Sequence, residues 1–166
     1  GTAGEQTTLR VGPNADGRDA RDIVVEPVTS ERELRLWRWI EDNRRRVDEM
    51  SDGRIGYLHM PNTAVGGQVG FAKGYYPNLR KEGLIIDERF NGGGQIADYY
   101  INILQRPYIS HWHMRYAQDL KTPQGSIQGP KVMLINWRSA SDSEVTPMGF
   151  RDLGLGRIVG TPTYGA

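Results

Sequence analysis

The spacing of apolar residues changes twice along the chain. Thr7 to Val11 and Asp22 to Val28 are short β-branched runs. Gly12-Pro13-Asn14-Ala15-Asp16-Gly17 lies between them and supplies turn chemistry, so the pattern predicts a β-hairpin. A hairpin alone buries no core. At Ser30 the period becomes helical. Ser30 and Glu33 have the spacing of a capping box, in which the serine oxygen takes a first-turn N–H and the glutamate returns to the cap. A helix over 31–50 is expected, with Leu34, Trp37, Ile40, Val47 and Met50 on one stripe and charged residues opposite. From Gly53 onward strand and helix signals alternate. Residues 55–60, 84–90, 132–136 and 157–160 read as strands, and residues 65–76, 95–105 and 143–153 as helices. This alternation predicts an α/β fold with a parallel sheet and crossover helices. Residues 106–129, with Pro107, Pro123, Gly125 and Gly129, form a long irregular excursion of the kind used for substrate loops or oligomer contacts.

Composition narrows the function more than the fold. A chain of 166 residues accommodates one domain with an attached segment. With 21 basic and 20 acidic residues, its net charge of +1 creates no long-range field for nucleic acid or an anionic membrane. The Arg44-Arg45-Arg46 run reads as a solvated helix face, because no other basic or aromatic cluster extends it. The absence of cysteine excludes disulfides, thiol catalysis and cysteine metal sites without fixing a compartment. There is no membrane-spanning apolar run and no basic-then-apolar leader pattern.

Two segments carry candidate chemistry. In Gly83-Leu-Ile-Ile-Asp87-Glu-Arg89-Phe-Asn91-Gly92-Gly93-Gly94 a strand runs into a turn lacking Cβ atoms, which can present amides as an anion nest. Phosphate cradling competes with that reading, but the lysine and threonine of a phosphate loop and the dinucleotide glycine spacing are both missing. A tight turn with no other role is the plain alternative. In Val132-Met-Leu-Ile-Asn136-Trp-Arg-Ser-Ala140-Ser141-Asp142-Ser-Glu144 small residues lead from a strand to a helix start. Ser141 there is either an N-cap or a nucleophile whose oxyanion would face helix-terminal N–H groups. His59 reads as a structural histidine ending a strand. His111 and His113 flank Trp112 and would share one face of an extended segment, a metal pair without an obvious third ligand.

The run Asp-x-Arg-Phe-Asn-Gly-Gly-Gly followed by Asn-x-x-x-x-Ser-Asp-x-Glu resembles the tail-specific serine peptidases, and within them the tricorn group. Gly53-Arg-Ile-Gly56-Tyr-Leu-His59-Met-Pro61 and Phe71-Ala-Lys-Gly74-Tyr-Tyr76-Pro77 agree with that family, and the similarity extends from about Glu5 to the last residue. The resemblance implies a crotonase-like parallel β spiral with crossover helices, preceded by a partial PDZ-like β-hairpin and a helical arm. It divides the chain into 1–28 as the end of a PDZ-like domain, 29–52 as a helical connector and 53–166 as a truncated peptidase core. It makes Ser141 the nucleophile, the N–H groups of Gly94 and Asp142 the oxyanion hole, and Gly92, Gly93, Ala140 and Trp112 substrate-binding. It implies no cofactor and no metal. Peptides or unfolded proteins are the implied substrates, further parts of the same polypeptide and a homo-oligomer the implied partners, and the cytoplasm the implied location.

The chain departs from this pattern in two respects. No histidine or lysine follows Ser141, and in the tricorn group the base lies upstream of the PDZ-like domain and the relay carboxylate lies downstream. The chain is therefore expected to be an internal fragment, inactive alone and with apolar surface exposed at its first hairpin and last strand. Residues 106–115 also lack the carboxylate that gives tricorn its preference for basic side chains. The alternative to a peptidase is a catalytically silent peptide-binding or assembly module. An acyl-CoA enzyme is suggested only by fold analogy.

Overall fold

The computed structural model describes residues 2–166. By its internal contacts the chain divides into two compact units, one up to Trp39 and one from Ile40 onward. The division falls inside a helix, whereas the sequence reading places segment boundaries at either side of it.

In the first unit, β1 (Thr7–Val11) pairs antiparallel with β2 (Arg21–Val25), with Thr7 opposite Val25. Leu9 and Val24 on these strands are exposed, as is Val28 beyond β2. Helix α1 (Arg32–Met50) starts just after the predicted cap, where the Ser30 hydroxyl accepts the Arg32 N–H at 3.3 Å. The expected apolar stripe is only partly covered. Leu34 and Trp37 in the first unit, and Met50 at the helix end in the second, remain exposed, because periodicity defines a stripe but not what packs on it. The arginine run is a solvated face: Arg44 pairs with Glu41 and Arg45 with Asp42.

The second unit is built on a four-stranded parallel sheet in the order β3 (Ile55–His59), β4 (Gly83–Asp87), β7 (Lys131–Ile135) and β8 (Arg157–Gly160). Helices α2 (Val65–Tyr75), α3 (Ala97–Leu104) and α4 (Asp142–Asp152) make the crossovers. Alternate strand positions Leu58, Leu84, Ile86 and Met133 enter a core shared with Phe71, Tyr75, Tyr100 and Phe150 from the helices. Phe71 stacks on Tyr75 at 5.0 Å between centroids and lies 4.9 Å from Tyr100. Each such aromatic contributes about 1.5–3 kcal/mol by leaving water. The opposite face of β3 and β4 holds a buried polar ladder. The Tyr57 hydroxyl donates to Asp87 Oδ2 at 2.7 Å, and Arg89 donates to both Asp87 oxygens at 2.9 and 2.6 Å.

The excursion over 106–129 is not wholly irregular. It contains a small antiparallel hairpin of β5 (Ser110–Trp112) and β6 (Leu120–Thr122). Three-residue strands are too short to register as a period-two pattern. Among the described residues, no helix is long and apolar enough to cross a membrane.

Candidate active site

Strands β4 and β7 are neighbours in a parallel sheet, so their exit loops meet at the same edge, the edge at which open α/β sheets bind ligands. The loops are stitched together. The Glu88 N–H donates to Leu134 O at 2.8 Å, and the Ser139 hydroxyl donates to Glu88 O at 2.9 Å. Asn136 Oδ1 accepts the Phe90 N–H at 3.1 Å. Asn91 O accepts both the Ala140 N–H at 3.1 Å and the Ser143 hydroxyl at 2.7 Å. The loop after β3 joins them, because the Thr63 N–H donates to Gly93 O and Thr63 O accepts the Gln95 N–H.

The three glycines of the turn differ. Gly93 has φ +96°, and a Cβ on it would lie 2.8 Å from Ser141 Cβ and 3.2 Å from Asp142 N, so this residue abuts the serine turn. Its N–H is taken by Asn91 Oδ1 at 2.9 Å. Gly94 forms a parallel bridge with Thr63, and a Cβ there would lie 2.0 Å from Thr63 O. In that bridge the flanking Gly93 O and Gln95 N–H face Thr63, which turns the Gly94 N–H to the other side. That N–H has no hydrogen-bond partner among the described residues. Gly92 is exposed, with open space where a Cβ would be.

Ser141 occupies the N-cap of α4, so the capping alternative is correct about its position. Its backbone is unlike that of an ordinary cap, however. N-cap residues usually have extended backbones, whereas Ser141 has φ 58° and ψ −127°. A side chain in that region is strained by about 1–3 kcal/mol, and strained strand-to-helix serines are the hallmark of nucleophile elbows. The strain is held by Glu144, whose carboxylate accepts the Ser141 N–H at 3.0 Å while its own N–H donates to Ser141 O at 2.7 Å. Glu144 also receives the Gly165 and Ala166 N–H groups at 2.8 and 3.2 Å. These bonds, that from Gly165 foremost, hold its carboxyl below the usual range. Asp142 turns its side chain away to cap α3, with Oδ2 accepting the Ala97 N–H at 2.9 Å. Its own N–H, the first of α4, has no partner among the described residues. An exposed serine therefore stands at a positive helix terminus, next to the unengaged Asp142 amide and against Gly93, whose neighbour Gly94 carries a second unengaged amide.

The histidines lie in other interactions. His59 is buried, with Nε2 3.0 Å from Arg89 O, and burial lowers its pKa. His111 Nε2 and His113 Nδ1 lie 3.5 and 3.0 Å from the two oxygens of Asp119. Sequence reasoning missed Asp119 because it reaches them only across the β5–β6 hairpin. No grouping of three ligands suited to a metal occurs among the described residues. Trp112 lies on β5, exposed, with Nε1 donating to Thr122 Oγ1 at 2.9 Å. Two further features had no signal in the sequence: the Thr63 bridge, and Glu88, which is wholly buried at the end of β4.

Residues 54–166 match the model of Peptidase family S41. The tricorn protease of Thermoplasma acidophilum is 33% identical over 159 residues, covering 96% of this chain and 15% of that protein. Tricorn protease homolog 1 of Streptomyces coelicolor is 34% identical over 165 residues, covering 99% of this chain and 15% of its own length. The crystal structure of the tricorn protease superposes with a TM-score of 0.90 at 32% identity, over 99% of this chain and 16% of that one. The chain thus spans about 15% of the length of these relatives. Sequence and fold agree on the assignment: this chain belongs to Peptidase family S41.

Proposed function

We propose that the chain carries the nucleophile and oxyanion hole of a serine peptidase that hydrolyses peptides or unfolded protein. Ser141 Oγ, its proton taken by the base, attacks the scissile carbonyl, and the Gly94 and Asp142 N–H groups receive the oxyanion. The C–N bond then breaks, the amine half leaves with that proton, and water hydrolyses the acyl-enzyme to release the acid half and restore Ser141. Gly92, Gly93, Ala140 and Trp112 contact the peptide. The observation that carries this reading is the strained backbone of Ser141 against the glycine turn, with the Gly94 and Asp142 amides unpartnered.

As the tricorn resemblance implies, the base and its carboxylate belong to polypeptide beyond these residues; His59 meets Arg89 and the other two histidines meet Asp119. The segment boundaries 1–28, 29–52 and 53–166, a homo-oligomeric assembly and a cytoplasmic location belong to the same proposal. Engagement of all three histidines away from Ser141 also favours the second reading, a silent binding or assembly module. An alkyl fluorophosphonate separates the two readings, because only an activated serine reacts. Stoichiometric labelling of the full-length protein at Ser141, lost in Ser141→Ala, is the expected result. No labelling of folded full-length protein would leave the binding module.

A further inference from the structure

Glu88 is fully buried where β4 passes into the glycine turn, and no hydrogen bond of ordinary geometry reaches either carboxyl oxygen among the described residues, although the Thr146 hydroxyl lies near enough to act on it. Its backbone is a junction of the site. Glu88 O accepts the Ser139 hydroxyl at 2.9 Å and the Asn91 N–H at 3.1 Å, and the Glu88 N–H reaches Leu134 O. The groups acting on its side chain are Thr146 and Asp142 from α4, Tyr100 from α3 and Asp87 from its own strand, with no cation among them. Asp87 is already matched by Arg89, and the Thr146 hydroxyl donates to Asp142 O at 3.3 Å. Burial foremost, then the nearby carboxylates, push the Glu88 carboxyl well above its usual range, which favours the uncharged form there.

An aliphatic side chain would fill this place without a desolvation penalty. A carboxyl group here makes the layer above it sensitive to a proton. A charged Glu88 requires water or a cation. Because Glu88 is sealed, water can reach it only if the elements near its side chain, α3 and α4 among them, move apart, and the start of α4 carries the Asp142 N–H.

We propose that Glu88 is a positioning residue of the serine site: uncharged, it lets the glycine turn, α3 and α4 close over it, and its ionisation opens that layer and sets the alkaline limit of oxyanion stabilisation. The inference rests on the Ser141 reading for its catalytic consequence but not for its structural one.

The test uses the full-length protein. The ratio of kcat/KM for Glu88→Gln over wild type should rise with pH, approaching about tenfold per pH unit beyond the limb for a single proton. Glu88→Asp, which restores an ionisable group, should keep the limb. A ratio constant with pH would overturn the proposal. A second measurement needs no variant. Hydrogen exchange in the wild type, corrected for intrinsic rates, should show protection of 88–97 and 139–146 falling with pH while 55–59 holds. Unchanged protection would also overturn it. If Ser141→Ala still labels with the phosphonate, the nucleophile reading fails, and the exchange experiment still decides the role of Glu88.

Discussion

Replacing Gly93 by alanine puts one methyl group where the glycine turn meets the serine turn. The added Cβ would lie 2.7 Å from Ala140 O and 2.8 Å from Ser141 Cβ. Carbon contacts settle at about 3.5–4.0 Å, so the turns must separate by roughly 1 Å. A φ of +96° adds strain of about 1–3 kcal/mol for an L side chain. In a domain of this size each kcal/mol lowers Tm by about 2–4 °C. The separation falls between the two proposed oxyanion donors. Misplacement of about 1 Å costs on the order of 100-fold, and loss of one donor about 100- to 1,000-fold in turnover. Gly92→Ala is the internal control for stability, because open space surrounds its Cβ position, and it should stay within about 0.5 kcal/mol. The assay is kcat/KM on an unstructured peptide together with phosphonate labelling and thermal melting, all in the full-length protein. Wild-type kinetics in Gly93→Ala, or equal losses of stability at Gly92 and Gly93, would refute the reasoning.

Ser141→Ala should abolish labelling and hydrolysis, while Ser141→Gly should be equally inactive yet melt at or above the alanine variant, because glycine relieves the φ 58° strain; a lower melting point for glycine would count against strain at this residue. Arg89→Ala strips a fully buried Asp87 of its cation and should cost about 3 kcal/mol or more by denaturant unfolding; a loss within experimental error would show the pair to be dispensable. The Glu144 carboxyl is held low by the Gly165 N–H and its neighbours, so its anchoring is complete above the ordinary carboxylate range and is lost as pH falls through the lowered value. Amide exchange at Gly165 and Ala166 should therefore accelerate in acid in the wild type, and Glu144→Gln should show weakened anchoring already at neutral pH.

The sequence by itself determined the α/β alternation, the strands and crossover helices, and the two segments that hold the candidate chemistry. Local spacing suffices for these because each element buries one face, and burial imposes a period of two or of about 3.6. The same locality explains the misses. The exposure of Leu34, Trp37 and Met50 depends on what packs against α1, which no stripe encodes. The β5–β6 hairpin and its His111–Asp119–His113 contacts depend on a pairing across residues with weak strand signal. At the site, the family resemblance singled out Ser141, Gly94 and Asp142, whereas the residues alone gave the three glycines equal standing. Tertiary structure supplied the physical difference between them: Gly92 faces open space, Gly93 abuts Ser141, and Gly94 bridges Thr63 with its N–H turned away. It also decided that Ser141 is a strained cap and that Glu88, one charged letter among three in Asp87-Glu88-Arg89, is sealed from solvent. Burial and backbone strain arise from contacts between elements far apart in the chain, and a one-dimensional pattern records only the residues that can tolerate them.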